Sequence, residues 1–407
     1  MSHVCRMPAI FRPFSLVLII LSAIPNSHAQ ENQAASGDAS GKLYVLDAGN
    51  SRKKPQVLVV DPPNGKIIRT YRAGNQPDMA LSPDGKQLYI SSSFENAASS
   101  MENFLDIYDT ASGALLNHIS NPEALQHKIP VYGTSMLMSP SGKRIYIEKY
   151  HWVPERLGPS GCYTSVFDTE SRQFLVDISV SNCGHAVLPA DEDQTFYLVS
   201  TTEAAIDTFT ITGRAGSVNT AHQYTSISLP PSSTGARAAQ KNPDTATGPC
   251  EVVSRSTGAG KGIGPVFLRP QQKTLGLILE NGSRLSVDLS SEATTPMGQE
   301  SGPGKWSGIQ PILESSGSSV YFGTSQGTNS YFERYDRIVR IDPATMATTG
   351  TMATSLPFFE VSRSHDESTL FTVNPERATI TVIDAPSLRE IKQFSVGVQP
   401  ILAIPAF

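Results

Sequence analysis

The chain has 407 residues, 39% hydrophobic and only 17% charged, with 31 Gly, 29 Pro and a formal net charge of −5. This composition describes a loop-rich folded protein long enough to bury a large core. It excludes a nucleic-acid binder, which needs a concentrated basic surface, and a helical bundle, which needs long segments at helical spacing.

Arg6 and Arg12 precede an apolar run at residues 14–25, and Ser27-His28-Ala29 then offers small residues at a cleavage position. A positive start, a short apolar segment and a small-residue site predict a secretory signal peptide over 1–29. The run is shorter than the roughly 20 residues of a membrane span. Its removal takes away two arginines and no acid, so an exported, more acidic protein without a membrane span is expected. Residues 30–41 are rich in Gln, Asn, Ser and Gly and read as a flexible N-terminal arm. The folded domain is expected over 42–407.

A repeat organises that domain. Residues 76–90 (QPDMALSPDGKQLYI) are echoed by 133–147 (GTSMLMSPSGKRIYI): a short apolar strand, a Ser-Pro-x-Gly-Lys turn and a second strand. Pro fixes φ at the second turn position and Gly supplies the positive φ that ends the turn. A second phrase, a β-branched run closed by Asp and a turn, recurs at Asp61, Asp109, Asp168, Asp342 and Asp384. Five equivalent acids in turns are read as acceptors for turn backbone rather than as catalytic groups.

Strands in groups of four at this spacing predict an all-β, seven-bladed β-propeller. The first strands of the groups begin near Gln76, Tyr132, Gly184, Gly264, Ile309, Pro357 and Gln399. Residues 399–405 match 76–83 and then the chain stops, whereas residues 43–47 read as a second strand lacking a first. The C-terminal strand is therefore expected to complete the N-terminal blade and close the ring. Residues 229–263 interrupt the repeat with low hydrophobicity and are expected to be a disordered insertion.

The long connections at 50–55, 94–103, 149–161 and 324–336 all join second to third strands, which puts them on one face. Two carry aromatic clusters with arginine, the usual composition of contact anchors: His151, Trp152 and Arg156 in one, Tyr331, Phe332 and Tyr335 in the other. These are the candidate partner-contact residues. No Gly-rich phosphate loop, GxSxG elbow, HExxH or recurring carboxylate pair is present, so no catalytic, cofactor-binding or metal-binding residue is assigned. A lactonase-type hydrolase would need Glu, Asn and Asp ligands in the central channel, and no such set stands out.

Cys5 leaves with the signal, so the exported chain holds Cys162, Cys183 and Cys250. Cys162 starts the third strand of its blade and Cys183 lies just past the fourth, so antiparallel pairing would bring them together as a disulfide. Pairing of Cys250 with either one is the competing arrangement.

The chain resembles the heavy (large) subunit of the methylamine and aromatic amine dehydrogenases, a YVTN-like propeller family. The resemblance rests on Asn182-Cys183-Gly184-His185 leading into Gln194-Thr195-Phe196-Tyr197, on residues 304–310 (GKWSGIQ), and on the tail Gly397-Val398-Gln399-Pro400-Ile401. It implies a periplasmic propeller that carries no cofactor itself. It also implies a small disulfide-rich light subunit bearing a tryptophan-derived quinone, which passes electrons to a copper protein or cytochrome. The family pairs the cysteine matching Cys183 with one at the end of the next strand, where this chain has Ser200. It also places an aromatic at the channel mouth, where this chain has Asn75 and Gln76. The expected function is that of a non-catalytic large subunit in an amine-oxidising complex; the alternative is a stand-alone binding or scaffold propeller.

Overall fold

The computed structural model describes residues 41–95, 101–120, 131–153, 158–180, 185–189, 195–200, 205–210, 225–228, 263–269, 273–279, 282–291, 293–299, 305–306, 312–313, 318–325, 335–364 and 366–406. The regular structure among them is entirely β. Along the chain run β1 (Leu43–Asp47), β2 (Gln56–Asp61), β3 (Lys66–Arg72), β4 (Asn75–Leu81), β5 (Gln87–Glu95), β6 (Met101–Asp109) and β7 (Leu115–Ser120). Then come β8 (Val131–Met138), β9 (Arg144–Val153), β10 (Gly158–Asp168), β11 (Gln173–Val180), β12 (His185–Pro189), β13 (Thr195–Ser200), β14 (Ala205–Thr210) and β15 (Thr225–Ser228). They are followed by β16 (Ile263–Arg269), β17 (Thr274–Leu279), β18 (Ser283–Asp288), β19 (Thr294–Gln299), β20 (Lys305–Trp306), β21 (Ile312–Leu313), β22 (Val320–Ser325), β23 (Tyr335–Ile341) and β24 (Thr348–Phe358). The last are β25 (Glu360–Arg363), β26 (Thr369–Asn374), β27 (Thr379–Asp384), β28 (Arg389–Ser395) and β29 (Pro400–Pro405).

These strands make a β-propeller. Six sheets have four antiparallel strands: β4 to β7, β8 to β11, β12 to β15, β16 to β19, β25 to β28, and the composite β29-β1-β2-β3. A further sheet has five, because both β20 and β21 pair with β22 ahead of β23 and β24. Seven equal groups of four are therefore not what forms. The sequence reading places a single first strand near Ile309. Ile309 itself lies outside the described residues, and the described residues on either side are β20 and β21, both paired with β22.

Burial explains the strand composition. The second and third strands of a sheet are covered on both faces by neighbouring sheets, so all of β1 and Thr379–Ile383 of β27 are buried. Outermost strands face solvent on alternate residues, as β28 does along its whole length. Buried clusters then join sheet to sheet. Tyr44 and Leu46 pack with Leu88 and Ile90, and with Ile145 and Ile147. Tyr146 meets Phe196, Tyr197 meets Leu275, and Phe267 meets Phe322. Tyr321 meets Leu370, and Phe371 meets Val45 of the first sheet.

The turns follow the expected chemistry. Ser82 Oγ donates to Asp84 and accepts from the Gln87 amide at 2.9 Å, and Gly85 has φ of 69°. In the equivalent turn at Ser364 the position of that glycine is taken by Glu367, held at φ of 61° and ion-paired to Arg363 at 3.3 Å. The repeated aspartates act as turn acceptors. Asp109 takes hydrogen bonds from the Ser112 hydroxyl and amide, and Asp384 from those of Ser387. These bonds hold both carboxyls below their ordinary range.

Cationic side chains tie adjacent sheets along these turns. Lys392 Nζ donates to the Pro62 and Pro63 carbonyls at 2.6 and 3.1 Å, and Arg69 to those of Thr110 and Ala111 at 2.7 and 3.1 Å. Arg340 reaches the Pro386 carbonyl at 2.8 Å and Arg284 the Thr348 hydroxyl at 2.9 Å.

Some expected boundaries move. The connections read at 94–103 and 149–161 are partly strand, since β5 runs to Glu95, β6 starts at Met101, β9 runs to Val153 and β10 starts at Gly158. Aromatic and β-branched residues there continue the ladder. Pro357 lies at the end of β24, before its last residue Phe358, rather than opening β25, and Ile263 belongs to β16. Residues 1–40 and 229–262 lie outside the described residues.

The two ends of the chain meet at Asp47. Its carboxylate is fully buried and accepts from the Val398 amide at 3.0 Å, the Gln399 amide at 2.7 Å and Gln56 Nε2 at 3.2 Å. Beside it β29 pairs antiparallel with β1 from Leu43↔Pro405 to Asp47↔Pro400. Asp47→Ala would leave the Gly49, Val398 and Gln399 amides without this acceptor, an expected loss of about 2 kcal/mol. Chemical denaturation should show it as a lower midpoint with an unchanged slope; an unchanged midpoint would remove Asp47 from this role.

Candidate functional site

The first strand of each sheet faces the others across the middle of the propeller, and two acids stand at the same point of the repeat there. Asp78 lies four residues before the turn serine Ser82, and Glu360 four residues before its equivalent Ser364. The corresponding position is Ser135 on β8, four before Ser139, and Ile401 on β29 by the echo of 76–83 in 399–405. Asp78 and Glu360 thus occupy one level, on sheets flanking the composite sheet.

Both side chains keep some accessible surface, yet both lie deep within the protein. Asp78 accepts from its neighbour's amide, Met79 N, at 2.7 Å, and from the Met136 amide on β8. Burial pushes its carboxyl up to about 7 from an ordinary 3.8, because removing water penalises the charged form more than these bonds favour it. Burial pushes Glu360 up to about 8 from 4.5, with the charge of Asp78 adding to the shift. A pair of carboxyls that is largely protonated near neutrality can donate, accept or release protons there.

The remaining candidates are less concentrated. Asn75 and Gln76 open β4, and both are exposed. Gln76 takes a φ of 46° at a bulge between Asn75 and Asp78 that lifts the strand end towards solvent. The Asn75 carbonyl accepts from the Ser93 hydroxyl at 3.1 Å. His151 and Trp152 sit near the end of β9, opposite Gly161 and Pro159 of β10. Arg156, Tyr331 and Phe332 lie outside the described residues.

Tyr335 is not a contact residue. It is 2% exposed on β23, its ring 5.4 Å from that of Phe358, because Gly323 on the neighbouring strand leaves space that the tyrosine fills. Aromatic density alone had suggested a surface loop. Cys162 stands opposite Val180 at the end of β11, and Cys183 lies outside the described residues. Asp78 and Glu360 were not singled out from the sequence, although each is an acid four residues before a turn serine.

Among the described residues no group of three or more His, Cys, Asp or Glu is arranged to hold a metal ion, and no helix is long and apolar enough to cross a membrane. Residues 38–223 match the methylamine dehydrogenase heavy chain family. The methylamine dehydrogenase heavy chain of Methylophilus methylotrophus is 23% identical over 188 residues. That alignment covers 43% of this chain and 44% of the relative, so it spans under half of either. Solved structures extend the likeness of fold. A putative 6-phosphogluconolactonase from Bacteroides fragilis superposes with a TM-score of 0.57 at 14% identity, covering 90% of this chain and 99% of the other. The β-propeller domain of Cps50 (Swd1) from Myceliophteria thermophila gives 0.54 at 11%, covering 82% and 90%. At such identities these two speak for the fold alone.

The raised carboxyls have a consequence for stability. In the unfolded chain Asp78 and Glu360 ionise near 3.8 and 4.5, so between those values and their folded pKa values the unfolded state gains charge that the fold resists. Their contribution is complete below about pH 4 and is lost as pH rises through about 7 and 8. The melting temperature is expected to fall by several degrees from about pH 5 to pH 9. Asp78→Asn and Glu360→Gln should each flatten that slope in scanning calorimetry; an equal slope in both variants would exclude these groups as its source.

Proposed function

We propose that this chain is the large, cofactor-free subunit of a periplasmic amine dehydrogenase-like complex, its seven sheets forming one closed ring. The family match over 38–223 carries the reading. In this arrangement the propeller supplies a rigid platform. A light subunit brings a quinone made from its own tryptophans, and a copper protein or cytochrome takes the electrons. His151, Trp152 and Arg156, with Tyr331 and Phe332, are the proposed contacts for that partner. The chemistry assigned to this chain is docking and shaping of a channel, with export through the signal peptide at 1–29.

A second reading is a stand-alone binding propeller. It is favoured by the exposed Asn75-Gln76 pair, polar where the resemblance implies an aromatic. One measurement separates the two. Purified alone, the chain is expected to show no visible absorbance and no amine-dependent dye reduction. Co-expressed with a light subunit encoded beside it, the chain is expected to yield amine-dependent reduction, reduced at least tenfold by Trp152→Ala with Arg156→Ala. Activity from the isolated chain would overturn the subunit reading, and a failure of the two chains to copurify would favour the stand-alone one.

A disulfide between Cys162 and Cys183 belongs to the same proposal. Cys162 is paired with Val180, which lies three residues before Cys183 in the sequence. The bridge would close a loop of about 20 residues and contribute roughly 3 kcal/mol. Peptide mapping without reductant is expected to recover the 162–183 crosslink. A crosslink containing Cys250, or three alkylatable thiols, would refute it.

A further inference from the structure

Asp78 and Ser91 are direct partners across the β4–β5 ladder, so their side chains stand on one face with Cβ atoms roughly 5 Å apart. That face looks onto the β8 to β11 sheet, from which the Met136 amide reaches the Asp78 carboxyl. The Ser91 hydroxyl is 8% exposed and makes no hydrogen bond. Asn103 on β6, opposite Ser93 on the same face, is also 8% exposed, and its amide nitrogen makes none either. A buried hydroxyl without a partner is costly, yet here it faces a carboxyl that could have received it. Acid and hydroxyl are held apart. Glu360, at the same level of the repeat, adds a second carboxyl, and no cation among the described residues bears on either acid.

Oxygen donors with a potential charge of two and no His or Cys among them suit a hard cation. We propose that this face binds a calcium-type divalent cation, ligated by the Asp78 carboxylate and the Ser91 hydroxyl, with the Glu360 carboxylate supplying the second negative charge. The other positions fall to neutral oxygens and water. With so few protein carboxylates the dissociation constant belongs to the weak class, roughly 10⁻⁴ M or above. Magnesium fits less well, because it demands octahedral geometry and gives up its water reluctantly. Both acids hold protons near neutrality without the ion, so binding releases protons and strengthens as pH rises. On the facing sheet the charged residues at the nearest registers are Glu148, opposite Ser135, and Lys149, opposite Gly133.

The test uses the full chain, stripped with chelator and titrated with calcium chloride at about pH 8 and pH 5. The expected result at pH 8 is a saturable rise in melting temperature at about 10 mM, with about one calcium per chain by equilibrium dialysis and a smaller response to magnesium. At pH 5 the rise should shrink, and at neutral pH calcium should release protons into weak buffer. Asp78→Asn and Ser91→Ala should each abolish the rise, Ser91→Ala being a small change that leaves the strand intact. The absence of a calcium response at pH 8, or the same response in both variants, would overturn the proposal.

Discussion

The pairing of β29 with β1 is the constraint on which the rest of the structure depends. β1 is buried along its whole length, and one of its two backbone edges would face nothing if the C-terminal strand were absent. An uncovered strand edge is both a loss of ladder bonds and an invitation to pair with another chain. Asp47 sits where the two ends meet and binds backbone from residue 398 onward, more than three hundred positions away in sequence. Gly397 belongs to the same junction. It holds φ of 66°, and a Cβ there would lie 2.7 Å from the Asp47 carboxylate. This junction of the two chain ends is specified by one acid, one glycine and six residues of strand. It is a contact of long sequence separation, whose loop entropy must be overcome before it forms.

Neighbouring sheets are held by two layers of different character. Inside, aromatic and branched residues of the second and third strands pack between sheets. Nearer the surface, Lys392, Arg69 and Arg340 donate to carbonyls of the next sheet's Asp turn. In the turns at Asp109 and Asp384 the carboxylate is occupied by the amide and hydroxyl of the serine three residues on. At Asp61 it is occupied by the Asn64 side chain. The acid thus shapes the turn while the carbonyls receive the cation. The repeated Asp matters through geometry, with its charge serving to strengthen local hydrogen bonds. That explains why an acid recurs five times in a propeller without forming a catalytic set.

Much of the fold was legible because it rests on local rules. Ser-Pro-x-Gly turns, Asp-closed runs and the echo of 76–83 in 399–405 each reflect short-range chemistry, and the strands fall where those phrases place them. What escaped depended on neighbours from distant parts of the chain. Tyr335 is buried because Gly323 and Phe358 shape a space for it, which no local pattern reveals. Asp78 and Glu360 were written in the repeat all along, four residues before a turn serine. Their significance lies in depth: an acid there is ordinary on an exposed strand and far from ordinary where water is scarce.

That depth bears on what the middle of the propeller can do. A scaffold that only docks a partner has no use for buried acids, and replacing them with apolar residues would stabilise it. The cation proposed above would give two such acids at one level a use that docking alone does not. Asp78 and Glu360 lie on the two sheets that flank the composite sheet, and the charge of Asp78 helps to raise the Glu360 carboxyl. The two acids are therefore linked electrostatically across the sheet that joins the ends of the chain.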